Sequence, residues 1–162
     1  MKGMKEVKEK GNRSNTIFDY FKPEMTFYGL KFNTKEELLK YMSDELLKEG
    51  YVPEYFFDKT LKREQLAPSI FGKMAAMPHP IDACAIKSVI SIAILDHPVR
   101  WDDEHNVQVI FLLAMRKSDI QTLNQFFEIT VNLTNNPQLL HTILETKTFD
   151  DTMMKLKSAE HL

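Results

Sequence analysis

Residues 107–115 read VQVIFLLAM, eight apolar residues interrupted by one glutamine. A strand that lacks the in–out alternation of a half-exposed sheet is covered on both faces. A second run, KSVISIAIL over 87–95, is nearly as apolar. Two such strands close together need material packed above and below them. Helical patterns lie on both ends of this strand block in the sequence. The fold class expected is therefore α/β, a central mixed β-sheet flanked by helices on both faces.

The flanking elements can be placed from their periodicity and punctuation. NTKEELLKYMSDELLKEGYV is the clearest helix. Thr34 and Glu37 form a capping box, Leu38, Leu39, Met42, Leu46 and Leu47 share one face, and Gly50 is the stop. PEYFFDKTLKREQLAP is a second helix, with Pro53 early and Pro68 past its end. Gly72 marks a turn, and KMAAMP after it is a short strand. HPVRW is a further short strand, placed at an edge because of Pro98. Helical patterns then cover residues 119–133, 136–145 and 148–158. The aromatic stretch FDYFKPEMTFYGLKF is an ordered lead-in without an assigned element type.

The chain of 162 residues is long enough for one domain with a proper core. Residues 1–15 are rich in Lys and lack aromatic side chains, which sets them apart as a flexible arm or linker remnant. Residues 16–162 are then the single domain. A net charge of −2 gives no footing for nucleic acid. The one cysteine, Cys84, rules out an internal disulfide and a multi-cysteine zinc site, and fits a reducing cytoplasm. The charged start lacks the apolar core of a secretory signal, and no apolar run is long enough for membrane insertion.

No P-loop, GxGxxG, HExxH or GxSxG is present. The histidines (79, 97, 105, 141 and 161) do not pair at metal-ligand spacing. Cys84 reads as a small buried thiol and Met74, Met77 and Met115 as core filler. Trp101 reads as a packing anchor and the acidic DDEH at 102–105 as a solvated loop. Lys62, Arg63 and Glu64 read as the wet face of their helix. His79 stands out because MPHP mounts it between two prolines. Each proline fixes its own φ, and Pro80 pushes His79 toward extended geometry. The small residues Ala75 and Ala76 precede it, and it lies where a strand of an open α/β sheet ends, the usual place for a site in such folds.

The elements RE at 63–64, Gly72 and AAMPHP at 75–80 together resemble the signature of type-2 enzyme IIA domains of the bacterial sugar phosphotransferase system, the mannitol–fructose class. SVISIAILDHPVRW and VQVIFLLAMRKSDIQTLNQFFEITVNLTNNPQLLHTIL resemble the strands and helices that follow, so the likeness spans residues 28–158. It implies that His79 accepts a phosphoryl group from the phosphocarrier HPr, that Arg63 is the active-site arginine, and that Glu64 has no direct role. It also implies a IIB domain or regulator domains as the next partner, and no metal or cofactor. Neutral imidazole is nucleophilic near pH 7, and the planar guanidinium of arginine can grip two phosphoryl oxygens.

One position departs from the family's pattern. Many of these domains carry a second histidine after the buried strand, and Asp119 stands there, in SDIQTL. His97 or His105 would have to take its place from another loop. The flavour of PHP, ILDHPVRW, VIFLLAM and LNQFFEI is similar to the enzyme-IIA-like domains at the C-terminus of antiterminator-type regulators built from tandem PTS-regulation domains. Two roles are therefore open: a regulatory receiver of phosphate, or a freestanding relay that hands it to a IIB domain. The resemblance leaves the sugar open, since the membrane IIC domain selects it.

Overall fold

The computed structural model describes residues 16–161. The expected arm at 1–15 lies outside the described residues. Five strands form one sheet: β1 (Phe21–Leu30), β2 (Ile70–Phe71), β3 (Ala75–Ala76), β4 (Val89–Arg100) and β5 (Asn106–Ala114). Their order is β1-β4-β5-β3-β2, with β1 parallel to β4, β4 antiparallel to β5, β5 parallel to β3 and β3 antiparallel to β2. The sheet is mixed, and the two apolar runs form its adjacent inner strands β4 and β5.

Five helices cover it: α1 (Lys35–Lys48), α2 (Phe56–Leu66), α3 (Leu123–Asn135), α4 (Pro137–Leu144) and α5 (Phe149–Ser158). Alternate residues of β4 and β5 point to opposite faces. Ile90, Ile92, Ile94, Val109, Phe111 and Leu113 pack beneath α3, α4 and α5, against Phe126, Ile129, Leu140 and Leu156. Val89, Ala93, Ile110, Leu112 and Ala114 face the other way, against Leu38, Met42 and Leu46 of α1 and Phe56 of α2. Every residue from Val89 to Leu95 and from Val109 to Met115 is buried. That is why the pattern is continuous rather than alternating.

Helix α1 begins at Thr34, whose hydroxyl accepts the Glu37 N–H at 3.2 Å. The Glu37 carboxylate meets the Thr34 hydroxyl instead of the Thr34 backbone, so the box is closed side chain to side chain. The helix ends in a Schellman motif: Tyr51 N–H reaches the Leu46 carbonyl and Gly50 N–H the Leu47 carbonyl. Gly50 takes φ +79° there, where any other residue would be strained. Leu47, expected on the buried face, is exposed.

The aromatic lead-in is largely strand β1. Its pairing with β4 is interrupted between Phe21 and Thr26, which accommodates Pro23 on an edge strand. There Ser91 Oγ donates to the Met25 carbonyl at 2.8 Å and keeps a buried hydroxyl satisfied. HPVRW is not a separate strand. It continues β4 beyond a bulge, because pairing jumps from Ile94–Val109 to Val99–Val107. The Gln108 amide fills this gap by donating to the Leu95 carbonyl at 2.9 Å. The segment expected to be helical from 119 begins as a 3-10 turn over Lys117–Thr122, and the α-helix starts at Leu123.

Candidate functional site

Strand β3 stops at Ala76 and the chain leaves the sheet as Met77-Pro78-His79-Pro80. The departing segment stays tied on both sides. Met77 N–H donates to the Ser69 carbonyl, and the Pro78 carbonyl accepts the Leu113 N–H, each at 2.9 Å. The prolines have no N–H to give, so these bonds use the groups that remain. The Met77 carbonyl then lies 3.0 Å from His79 Nδ1. A carbonyl only accepts, so this bond places the ring proton on Nδ1 and leaves the lone pair on Nε2.

His79 is half-buried and lines a cavity of about 150 Å³. The other walls are Pro80, Ile81, Ala83, Leu113, Met115, Ile120, Leu123 and Phe127. His79 is the one titratable side chain among them. Ile81, Ile120 and Phe127 are exposed, so an apolar rim surrounds the imidazole. Cys84 lies just past this loop and is half-buried rather than buried outright. Burial pushes its thiol up, and the charge of Lys59 pulls partly against this.

Helix α2 runs beside the loop. Ile81 N–H donates to the Lys59 carbonyl at 3.4 Å, and Lys59 Nζ pairs with Asp82 at 2.8 Å. Arg63 is one turn further along, on the same helix face as Lys59. Its guanidinium donates to the Ala67 carbonyl at 2.9 Å, at the end of its own helix, and it is half-buried. The structure thus brings the helix of Arg63 to the loop of His79 while engaging the arginine itself elsewhere.

Glu64 overturns the reading of a wet helix face. It is 2% exposed. Its carboxylate accepts Ser69 N–H at 2.7 Å, the Ser69 hydroxyl at 2.6 Å and Trp101 Nε1–H at 3.0 Å. Trp101 is a buried anchor as expected, with a polar tip that finds this partner. The signal for Glu64 was indirect: a lone tryptophan whose N–H needs an acceptor when buried.

Asp119 is half-buried in the 3-10 turn before α3, next to the cavity wall Ile120. Its carboxylate accepts the Ser88 hydroxyl, and Ser88 Oγ accepts the Arg116 N–H at 2.8 Å. His97 and His105 do not substitute for the missing histidine. They sit at the hairpin end of β4 and β5, where Arg100 pairs with Asn106, while His79 sits by Leu113 at the end where Val89 pairs with Ala114. The DDEH loop is a self-closed turn in which Asp102 accepts the N–H groups of Glu104 and His105 and meets His105 Nδ1 at 2.9 Å. Among the described residues no helix is long and apolar enough to cross a membrane.

Comparison with known proteins fits this arrangement. The family model "Phosphoenolpyruvate-dependent sugar phosphotransferase system, EIIA 2" matches residues 19–159. A probable licABCH operon regulator from Bacillus subtilis is 23% identical over 148 residues, covering 91% of this chain and 22% of the regulator. The chain therefore spans about a fifth of that relative's length. A mannitol-specific phosphotransferase enzyme IIA component from Halalkalibacterium halodurans is 28% identical over 110 residues, covering 66% of this chain and 75% of that protein. Among solved structures, the complex of enzyme IIAMTL with phosphorylated enzyme IIBMTL from Escherichia coli superposes with a TM-score of 0.69 at 24% identity, covering 85% of this chain and 99% of the matched chain. With the mixed sheet, the helices on both its faces and the family match over nearly the whole described region, the chain belongs to the EIIA type-2 family of the phosphoenolpyruvate-dependent sugar phosphotransferase system.

Proposed function

We propose that His79 accepts a phosphoryl group from phosphorylated HPr through Nε2. The observation that carries this reading is the bond from His79 Nδ1 to the Met77 carbonyl. It commits the ring proton to one nitrogen and leaves the other as a nucleophile near neutral pH. In the step, the Nε2 lone pair forms a new N–P bond as the N–P bond of the donor phosphohistidine breaks. The donor imidazole leaves with that electron pair, and His79 keeps the Nδ1 proton on the Met77 carbonyl. The phosphoryl group in flight needs positive charge and positioning more than covalent help. Arg63 supplies the charge by swinging its guanidinium from the Ala67 carbonyl to the phosphoryl oxygens. The two prolines limit backbone motion, so the ring is held for in-line attack.

The regulatory reading is the main one: a receiver domain in a larger regulator. The likeness to an operon regulator along 91% of the chain supports it. Asp119 supports it as well, since it stands where many of these domains carry a second histidine, and a carboxylate does not stabilise a phosphoryl group in onward transfer. The relay reading, with onward transfer to a IIB domain, is supported by the likeness to a IIA protein whose structure is a complex with phosphorylated IIB. Both readings place the domain in the cytoplasm, where its phosphate donor would be.

Incubation with phosphoenolpyruvate, enzyme I and HPr, followed by addition of a IIB domain, separates them. Label that stays on the chain supports the receiver, and label that discharges supports the relay. Absence of label from His79 removes both.

A further inference from the structure

We infer that Glu64 is a positioning residue for the phosphoryl-accepting histidine, acting through the hydrogen-bonded chain Trp101–Glu64–Ser69–Met77–His79. The inference rests on the reading of His79 as the acceptor. Each link is short. Trp101 Nε1–H donates to the Glu64 carboxylate at 3.0 Å. Ser69 donates to the same carboxylate twice, from its N–H at 2.7 Å and its hydroxyl at 2.6 Å. The Ser69 carbonyl accepts Met77 N–H at 2.9 Å, and the Met77 carbonyl lies 3.0 Å from His79 Nδ1.

The chain matters because the sheet alone holds this corner weakly. Strand β2 is an edge strand of two residues, with two pairings to β3: Ile70 with Ala76 and Phe71 with Ala75. The Ser69–Met77 bond is the next rung out, and it ties the N–H of the same residue whose carbonyl meets His79. The Met77–Pro78 peptide that carries this carbonyl has no N–H to tie it, so its orientation follows from how Met77 is held. Ser69 is instead pinned from behind by a buried carboxylate. A carboxylate 2% exposed is costly unless its oxygens are filled, and here Ser69 and Trp101 together supply three donors, which suits an acceptor-only group. Glu64 also adjoins Arg63 in the last turn of α2. One residue therefore anchors both the helix end that presents the arginine and the strand that orients the histidine's carbonyl partner.

Glu64→Gln tests this with almost no change in volume. It replaces one acceptor oxygen by an NH₂ that faces N–H and O–H donors. Two quantities are read on the intact chain: the ¹⁵N signature of the His79 tautomer without phosphate, and the rate of label uptake from phosphorylated HPr. The expected result is a shift of His79 from the Nδ1–H form toward a mixture of tautomers. Uptake at saturating donor should fall about tenfold, with the half-saturating donor concentration little changed. Trp101→Phe, which removes one donor and keeps a ring, should move both readouts in the same direction by less. A Glu64→Gln protein that melts earlier yet keeps the wild-type tautomer and rate would overturn the inference, because a purely structural carboxylate predicts that. If Glu64→Gln does not fold, Trp101→Phe and Ser69→Ala carry the test, and wild-type tautomers in both would overturn it equally. Failure of the wild-type chain to take label at His79 would remove the acceptor reading instead. The tautomer comparison needs no phosphate and judges Glu64 separately.

Discussion

His79 and His105 both engage Nδ1 with an oxygen, and the two oxygens differ. At His79 it is the Met77 carbonyl, beside an apolar cavity. At His105 it is the Asp102 carboxylate, in the loop that joins β4 to β5. That carboxylate already accepts two backbone N–H groups, and the Glu104 N–H is the largest cause holding it below the usual carboxylate range. The hairpin end is thus a turn closed by its own polar groups, as Asp often provides, and His105 completes it. At the other end the carbonyl closes no turn of this kind. It fixes a tautomer, adds no charge, and leaves the second nitrogen amid apolar side chains. On the proposed function, the same residue type is structural at one end of the sheet and a nucleophile at the other because its partner atom and its surroundings differ.

The sharpest way to break this contrast is to remove each ring in turn. His79→Ala should lower uptake from phosphorylated HPr by at least ~10³-fold, whereas His105→Ala should leave it unchanged, as read by acid-labile label. A protein in which the two substitutions behaved alike would dissolve the distinction. Arg63→Ala should slow uptake by ~10²-fold while the melting temperature holds, and Arg63→Lys should recover only part of the rate, since the ammonium lacks the planar fork. Equal rates for all three would leave the arginine as a helix cap. Asp119→Asn keeps an acceptor for Ser88 and removes the charge. Discharge to a IIB domain should rise several-fold, and a fall would mean that the carboxylate assists transfer.

The smallest effect belongs to the hairpin end. The Asp102 carboxyl sits below its ordinary value, so its contribution is present above about pH 4 and is lost as the pH falls through the folded value. Asp102→Asn should lower the melting temperature slightly at pH 7. The gap to wild type should close at lower pH, and uptake at His79 should be unaffected. A gap that widened on acidification would reverse the assigned sign.

Much of the architecture was legible because burial on both faces leaves a plain trace. The runs around Ile92 and Phe111 could hardly be anything other than central strands, and Thr34 and Gly50 bracket α1 to the residue. Strand β1 was harder to see because FKPEMTFYGL mixes a proline, a glycine and polar residues. Its irregular edge pairing to β4 blurs any period of two. The β4 bulge hid the continuity of HPVRW with the strand before it, since Pro98 locally mimics an edge. Strand β2 has too few residues to register at all. At the site, MPHP singles out His79, and Arg63 becomes a candidate only through the resemblance to the family's signature. Glu64 was misplaced on a solvated face because helical spacing shows which residues share a side. It cannot show that Trp101 and Ser69, distant in sequence, converge there. The Met77 carbonyl, the atom that sets the ring, has no side-chain signature to read.

The account depends most on which nitrogen of His79 is free. The direct measurement is a long-range ¹H–¹⁵N spectrum of the chain after phosphorylation by phosphoenolpyruvate, enzyme I and HPr, with the ³¹P coupling assigned to one ring nitrogen. The geometry predicts phosphate on Nε2 of His79, with Nδ1 still carrying its proton. Phosphate on Nδ1 would require the bond to the Met77 carbonyl to break first, and that result would contradict the account.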